Sequence, residues 1–215
     1  MTPLAAECQI TDMAELQTVC VYCGSNTGGA AEYATAATHL GREIATAGVR
    51  LVYGGGSVGL MGIMARTALE SGGQVTGVIP RFLRDREVML HEVDELIVTA
   101  DMHERKRIMF ERADAFVALP GGIGTLEEVV EMMTWAQLEQ HMKPVLIVNI
   151  NGFWDSLIGL FQRMSDDGFL HKEFLGVHME LPVHFCDSVD AVIPTLRAAV
   201  AATPRLAAEG SAHLI

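Results

Sequence analysis

Lysine is scarce in this chain: Lys106, Lys143 and Lys172 are the only three among 215 residues. With arginine included, 15 basic residues face 27 acidic ones, a formal charge of -12. A surface of that sign has no basic surplus with which to displace counterions from a polyanion, which argues against a nucleic-acid role. Any phosphate must be held locally, by backbone N–H groups and a few arginines. Cysteine is sparse too, and Cys8, Cys20, Cys23 and Cys186 make no disulfide framework in a chain of this size. No apolar run approaches the ~20 residues of a membrane span, and the first residues lack the basic and apolar regions of a secretion signal. The expectation is a cytoplasmic protein without a membrane partner. The eight histidines form no H-E-x-x-H and no zinc-spaced cluster with cysteine, so no metal site is expected. Cys20-x-x-Cys23 has a redox or zinc spacing but lies on the apolar run TVCVYCGS. Residues three apart on a strand point to opposite faces, so structural thiols are expected there.

What is present is an apolar half of the composition, enough for one packed core. Short runs rich in β-branched residues alternate with longer amphipathic or alanine-rich segments. Strands are predicted at residues 19–22, 50–53, 74–79, 95–99, 115–119, 145–148 and 181–185. Helices are predicted at 30–47, 60–71, 101–112, 124–142, 153–167 and 187–201. That alternation implies an α/β fold: a doubly wound, Rossmann-like parallel sheet of about seven strands, in one domain over residues 18–202. Residues 1–17 and 203–215 read as tails. Ligands of such sheets sit beyond the carboxyl ends of the strands, and three Gly-rich turns fall on that edge: CGSNTGG, GGGSVGLMG and PGGIGT.

Gly54-x-Gly56-x-x-Gly59 matches the dinucleotide fingerprint, but it follows the second strand, and the next strand ends in VIPRF without an acid for a ribose. A plain phosphate or nucleotide loop fits better than a dinucleotide site or an empty turn. No Gly-Lys-Ser/Thr follows the glycines, so this is not a P-loop. In LPGGIGTLEEVVE, residues 119–131, the spacing Thr125-x-x-Glu128 is that of a capping box, which alone could account for both residues. Arg105 and Lys106 fall in the second turn of a helix that Asp101 can cap, at the same edge of the sheet. A solvated helix face is the competing reading of that basic pair.

Met102-x-x-Arg105-Lys106, followed by Pro120-Gly121-Gly122-x-Gly124-Thr125-x-x-Glu128, resembles the signature of the LOG (Lonely Guy) family. These are cytokinin riboside 5'-monophosphate phosphoribohydrolases, many of which carry a lysine decarboxylase label. The likeness extends through CGSNTG, VYGGGSVGLMG, VIPRF, EMMTWAQLEQHMKPV and DDGFL, over roughly residues 18–170. It implies cleavage of the N-glycosidic bond of N6-modified adenosine 5'-monophosphates, and often of AMP, to free base and ribose 5-phosphate. No cofactor is implied, and the family is built on homodimers or larger assemblies with the site near the subunit interface.

Carried over by motif, Arg105 and Glu128 are the implied catalytic pair. Gly24, Ser25, Gly55, Gly56, Met102, Lys106, Pro120, Gly121, Gly122, Gly124 and Thr125 are implied contacts of substrate or phosphate. A further glutamate is implied after the third strand, where Glu87 is preferred to Glu92 and Asp94. Departure of the base leaves positive charge on the sugar, which a carboxylate beside C1' stabilises while it orients water. Thr125 and Glu128 share a helix face, whereas Glu127 is turned ~100° away, toward solvent or a partner subunit. The helix LMGIMARTAL and the Trp135 region offer an apolar dimer contact or plain core packing.

Two other functions compete. A pyridoxal phosphate decarboxylase needs a Schiff-base lysine, and of the three lysines Lys106 belongs to the nucleotide motif while the others sit in ordinary surface contexts. A non-catalytic nucleotide or cofactor carrier, resembling the molybdenum cofactor carriers that share the fold and the PGGxGT loop, would not need the Arg105 and Glu128 pair.

Overall fold

The computed structural model describes residues 14–84, 89–170 and 182–203. Seven strands form one parallel sheet in the order β4-β3-β2-β1-β5-β6-β7: β1 Thr18–Tyr22, β2 Arg50–Tyr53, β3 Val75–Pro80, β4 Glu95–Thr99, β5 Ala115–Ala118, β6 Val145–Val148 and β7 Val183–Cys186. The helices are α1 Ala31–Thr46, α2 Gly59–Glu70, the single turn α3 Arg81–Arg84, α4 Met102–Arg112, α5 Ile123–Gln137, α6 Asp155–Asp166 and α7 Val192–Ala202. Short 3-10 turns precede α6 and α7.

Strand alternation builds two cores. Val19 and Val21 of β1, Ala115 and Val117 of β5, and Leu146 and Val148 of β6 face α1, α2 and α7. Cys20, Tyr22, Phe116, Ala118, Val145 and Ile147 face α4, α5 and α6. Because both faces are covered, these strands read as unbroken apolar runs. Cys20 and Cys23 fall in opposite cores as free thiols, in keeping with the expected structural role. The side chains of Leu60, Met61 and Met64 on α2 are buried within this chain's own core, and Trp135 packs edge-on against Phe110 at 5.1 Å. These side chains thus contribute to internal packing, with Trp135 half-buried.

The strand order reverses between β1 and β5. Their following helices leave to opposite faces, which opens a crevice at their carboxyl ends, the usual ligand position in such a sheet.

Two helices are shorter than predicted: α7 begins at Val192 rather than 187, after a 3-10 turn, and α5 ends early. α5 stops at Gln137 because Glu139 takes a left-handed conformation, φ 57°, and the amides of Glu139 and Gln140 close back onto the carbonyls of Ala136 and Trp135. This is a Schellman turn with glutamate where glycine is usual, so the sequence carried no stop signal.

Candidate active site

The site is set by how α4 begins. The Asp101 carboxylate accepts from the Glu104 amide at 2.9 Å, and Glu104 reaches back to the Ala100 amide at 2.6 Å. Two orphan donors are satisfied and the helix start is fixed, so Arg105 and Lys106 emerge in its second turn, against the sheet. Both are nearly buried, 8% and 9% exposed. They part company there.

Arg105 lies over the ends of the central strands. Its Nε donates to the Val78 carbonyl of β3 at 3.2 Å, and its Nη1 meets Glu128 Oε1 at 3.2 Å and approaches Met102 Sδ at 3.7 Å. Room for the guanidinium exists because residue 54 has no side chain: a Cβ there would stand 2.5 Å from Nη2. Glu128 is 8% exposed, and its carboxyl is held above the usual glutamate range. Burial is the main cause; Arg105 opposes it by favouring the charged form.

Lys106 takes other partners. Its Nζ sits 2.6 Å from Glu127 and 2.9 Å from Glu131. Burial weakens the ammonium, but the hydrogen bonds to the two carboxylates outweigh it and the pKa is raised. Glu127 correspondingly pairs with Lys106 rather than facing solvent alone.

The PGGIGT loop opens α5 with Gly122 as N-cap, and no side chain caps it. This corrects the capping-box reading. Thr125 is already the third helical residue, buried beneath the loop, where a Cβ at Gly121 would collide with its Oγ1. Glu128 therefore lies in the second turn, on the face it shares with Thr125. Gly122 and Gly124 border open space. Gly24, Ser25, Pro120, Gly121 and Gly122 line a cavity of about 200 Å³, rimmed by Tyr33 and Phe153. A helix N-terminus opening on such a cavity is suited to an anion.

The other Gly-rich turn is differently used. The Leu60 and Met61 amides at the start of α2 both donate to the Gly24 carbonyl, at 3.0 and 3.3 Å. Gly59, at φ 62°, packs directly on the Ser25 backbone. The fingerprint glycines thus tie α2 to the loop after β1, and the first amides of that helix are already spent. Gly55 and Gly56 face a neighbouring segment: the Leu90 amide donates to the Gly55 carbonyl at 3.3 Å, and Gly56 bridges Met89.

Arg105, Met102 and Glu128 are therefore brought together, as are Gly24, Ser25, Pro120, Gly121 and Gly122. Glu87 lies outside the described residues. Gly54, the Val78 carbonyl and Glu131 were missed as parts of the site. A glycine directly after a strand was the one available signal, and it was absorbed into the fingerprint reading. Among the described residues no group of His, Cys, Asp and Glu could hold a metal ion, and no helix is long and apolar enough to cross a membrane.

Comparison with known proteins bears on this geometry. The family model described as "Possible lysine decarboxylase" matches residues 61–196. The cytokinin riboside 5'-monophosphate phosphoribohydrolase LOG5 of Arabidopsis thaliana is 47% identical over 164 residues, 76% of this chain and 72% of that protein. The enzyme LOG of Oryza sativa subsp. japonica, of the same name, is 46% identical over 164 residues, 76% of this chain and 68% of its own. Among solved structures, the molybdenum cofactor carrier protein of Chlamydomonas reinhardtii superposes with a TM-score of 0.62 at 24% identity, over 86% of this chain and 99% of that one. That likeness speaks for the fold alone. Near-half identity sustained across most of both plant enzymes speaks for descent, and the chain belongs to the LOG family of phosphoribohydrolases.

Proposed function

We propose that this protein hydrolyses the N-glycosidic bond of cytokinin riboside 5'-monophosphates, that is, N6-modified adenosine 5'-monophosphates, and of AMP, releasing the free base and ribose 5-phosphate. The observation that carries this reading is the buried ion pair of Arg105 and Glu128 at the same carboxyl edge of the sheet as the glycine-lined cavity. A buried charge pair is a poor source of stability, because desolvation offsets most of its attraction. Its presence at the carboxyl edge of the sheet is better explained by chemistry.

In this reading the 5'-phosphate rests against the amides of Gly122, Gly124 and Thr125 at the α5 N-terminus. Glu128, one turn further along the same helix, faces the ribose, stabilises the oxocarbenium-like state and orients the attacking water. Arg105 steers the nucleotide and favours departure of the base. Burial raises the Glu128 pKa, and Arg105 opposes that by favouring the charged form, which is the form this role uses.

Decarboxylation by a Schiff base would need a free amine. Lys106 is held as an ammonium by two carboxylates, and Lys143 donates to the Phe110 carbonyl at 2.7 Å; Lys172 lies outside the described residues. A homodimer in the reducing cytoplasm, with one domain over residues 18–202, completes the proposal; free thiols at Cys20 and Cys23 agree with that compartment.

The test is to incubate purified protein with AMP and N6-isopentenyl-AMP and to follow free base and ribose 5-phosphate by chromatography, beside Glu128→Ala and Arg105→Ala. Release by the wild type, lost at least about a hundredfold in each folded variant, is the expected result. Binding of the nucleotides without release would replace the hydrolase with a carrier of the same fold.

A further inference from the structure

Arg105 and Lys106 are adjacent on α4, yet their side chains go to different carboxylates of α5. Arg105 takes Glu128; Lys106 takes both Glu127 and Glu131. The Lys106 side chain is nearly buried, and Glu131 Oε2 is buried without a hydrogen-bond partner among the described residues. Glu127 immediately precedes Glu128, and Glu131 follows it by three positions, so the two flank it on one helix. Glu131 lies three positions from Glu128 and four from Glu127, spacings at which like charges repel, and a cation among them is what makes the cluster tenable.

We propose that Lys106 is a positioning residue: by clasping Glu127 and Glu131 it fixes α4 against α5 where Arg105 reaches Glu128, and it neutralises the carboxylates that flank Glu128. The proposal rests on the reading of Glu128 as the reacting carboxylate. The groups facing Glu128 are Arg105 and Lys106 from α4, Glu127 and Glu131 from α5, Cys20 and Tyr22 from β1, and Cys23 just after β1. Burial raises the pKa of the last three, which stay neutral. Burial pushes the Glu128 carboxyl up most; Arg105 and Lys106 pull it down, while Glu127 and Glu131 push it up. Without the Lys106 charge, Arg105 alone would oppose two uncompensated carboxylates. A lysine on phosphate would behave differently, since its loss would weaken binding of substrate and transition state alike.

The experiment is a pH titration of the full chain, without substrate, by NMR of carboxyl-labelled glutamates. The Glu128 resonance is assigned by its loss in Glu128→Gln. In Lys106→Met the Glu128 midpoint is expected to move up; in Lys106→Arg, and in Lys106→Met combined with Glu131→Gln, it returns toward the wild-type value. With AMP as substrate, kcat of Lys106→Met falls about tenfold or more, with KM little changed and the acid limb of the pH profile moved the same way as the midpoint. An unmoved midpoint in folded Lys106→Met overturns the proposal, and so does a rise in KM alone, which would make Lys106 a substrate contact. Should Lys106→Met not fold, Glu131→Gln alone decides: its Glu128 midpoint moves down, or the proposal fails. The titration needs no turnover, so a wild type inactive on AMP would overturn the hydrolase reading and still leave the clasp to be judged.

Discussion

A single methyl group added at position 54 tests the residue-level arrangement. In Gly54→Ala the new Cβ would stand 2.5 Å from Arg105 Nη2 and 3.0 Å from Met61 Sδ. The sulfur belongs to a flexible side chain and can yield; the guanidinium is tied to Val78 and Glu128 and can yield only by leaving them. If Arg105 acts as proposed, base release from AMP falls about a hundredfold, the cost of a misplaced catalytic group, while circular dichroism stays that of the wild type. Retained activity would mean that Arg105 has slack that its contacts do not suggest. That Arg105 and Glu128 share one end of the sheet was legible in the sequence, because their motif has fixed spacing. Their supports were not: Val78 is 27 positions from Arg105, and nothing local marks the pairing. The carboxylate partners of Lys106 were not legible, since the sequence does not say which side of α4 a basic pair divides toward.

At the scale of elements, helix starts were easier to read than helix stops. Asp101 announced the start of α4 by its chemistry, whereas the end of α5 is made by backbone alone at Glu139. A non-glycine residue in the left-handed region costs about 1–2 kcal/mol, and the greater freedom of glycine in the unfolded chain takes back about 0.4–1 kcal/mol. Glu139→Gly should therefore stabilise the protein by roughly 1 kcal/mol, read as a higher urea midpoint with unchanged slope. A lower midpoint would show that the exposed Glu139 side chain contributes more than its surroundings indicate. The capping-box reading of Thr125 failed for a related reason. Gly122 begins the helix three residues sooner, and Thr125 is drawn under the loop by its contact with Gly121.

Over the whole molecule, the parallel sheet and the placement of its Gly-rich edge followed from the alternation of strand and helix patterns, because strands buried on both faces leave unbroken apolar runs. The division of labour between the loops did not follow, since it depends on which amides meet which carbonyls across the crevice. Net charge has its own consequence. A chain of charge -12 repels a nucleotide dianion at long range even though the site itself offers backbone amides and Arg105. Raising ionic strength from about 10 mM to 150 mM shortens the screening length from roughly 30 Å to 8 Å. We expect kcat/KM for AMP to rise about twofold across that range. A steady fall would mean that the local field of Arg105 and the α5 N-terminus governs approach.

The mouth of the crevice is stitched together by main chain. The Gly24 amide donates to the Pro120 carbonyl at 3.1 Å, and the Gly24 carbonyl receives the first amides of α2. Bonds of this kind are indifferent to the identity of most side chains around them, so such a frame can pass through long divergence while the groups that project into it are exchanged. A cofactor carrier 24% identical takes the same fold, and a frame tied by main chain rather than by side chains is one that such different sequences can both build.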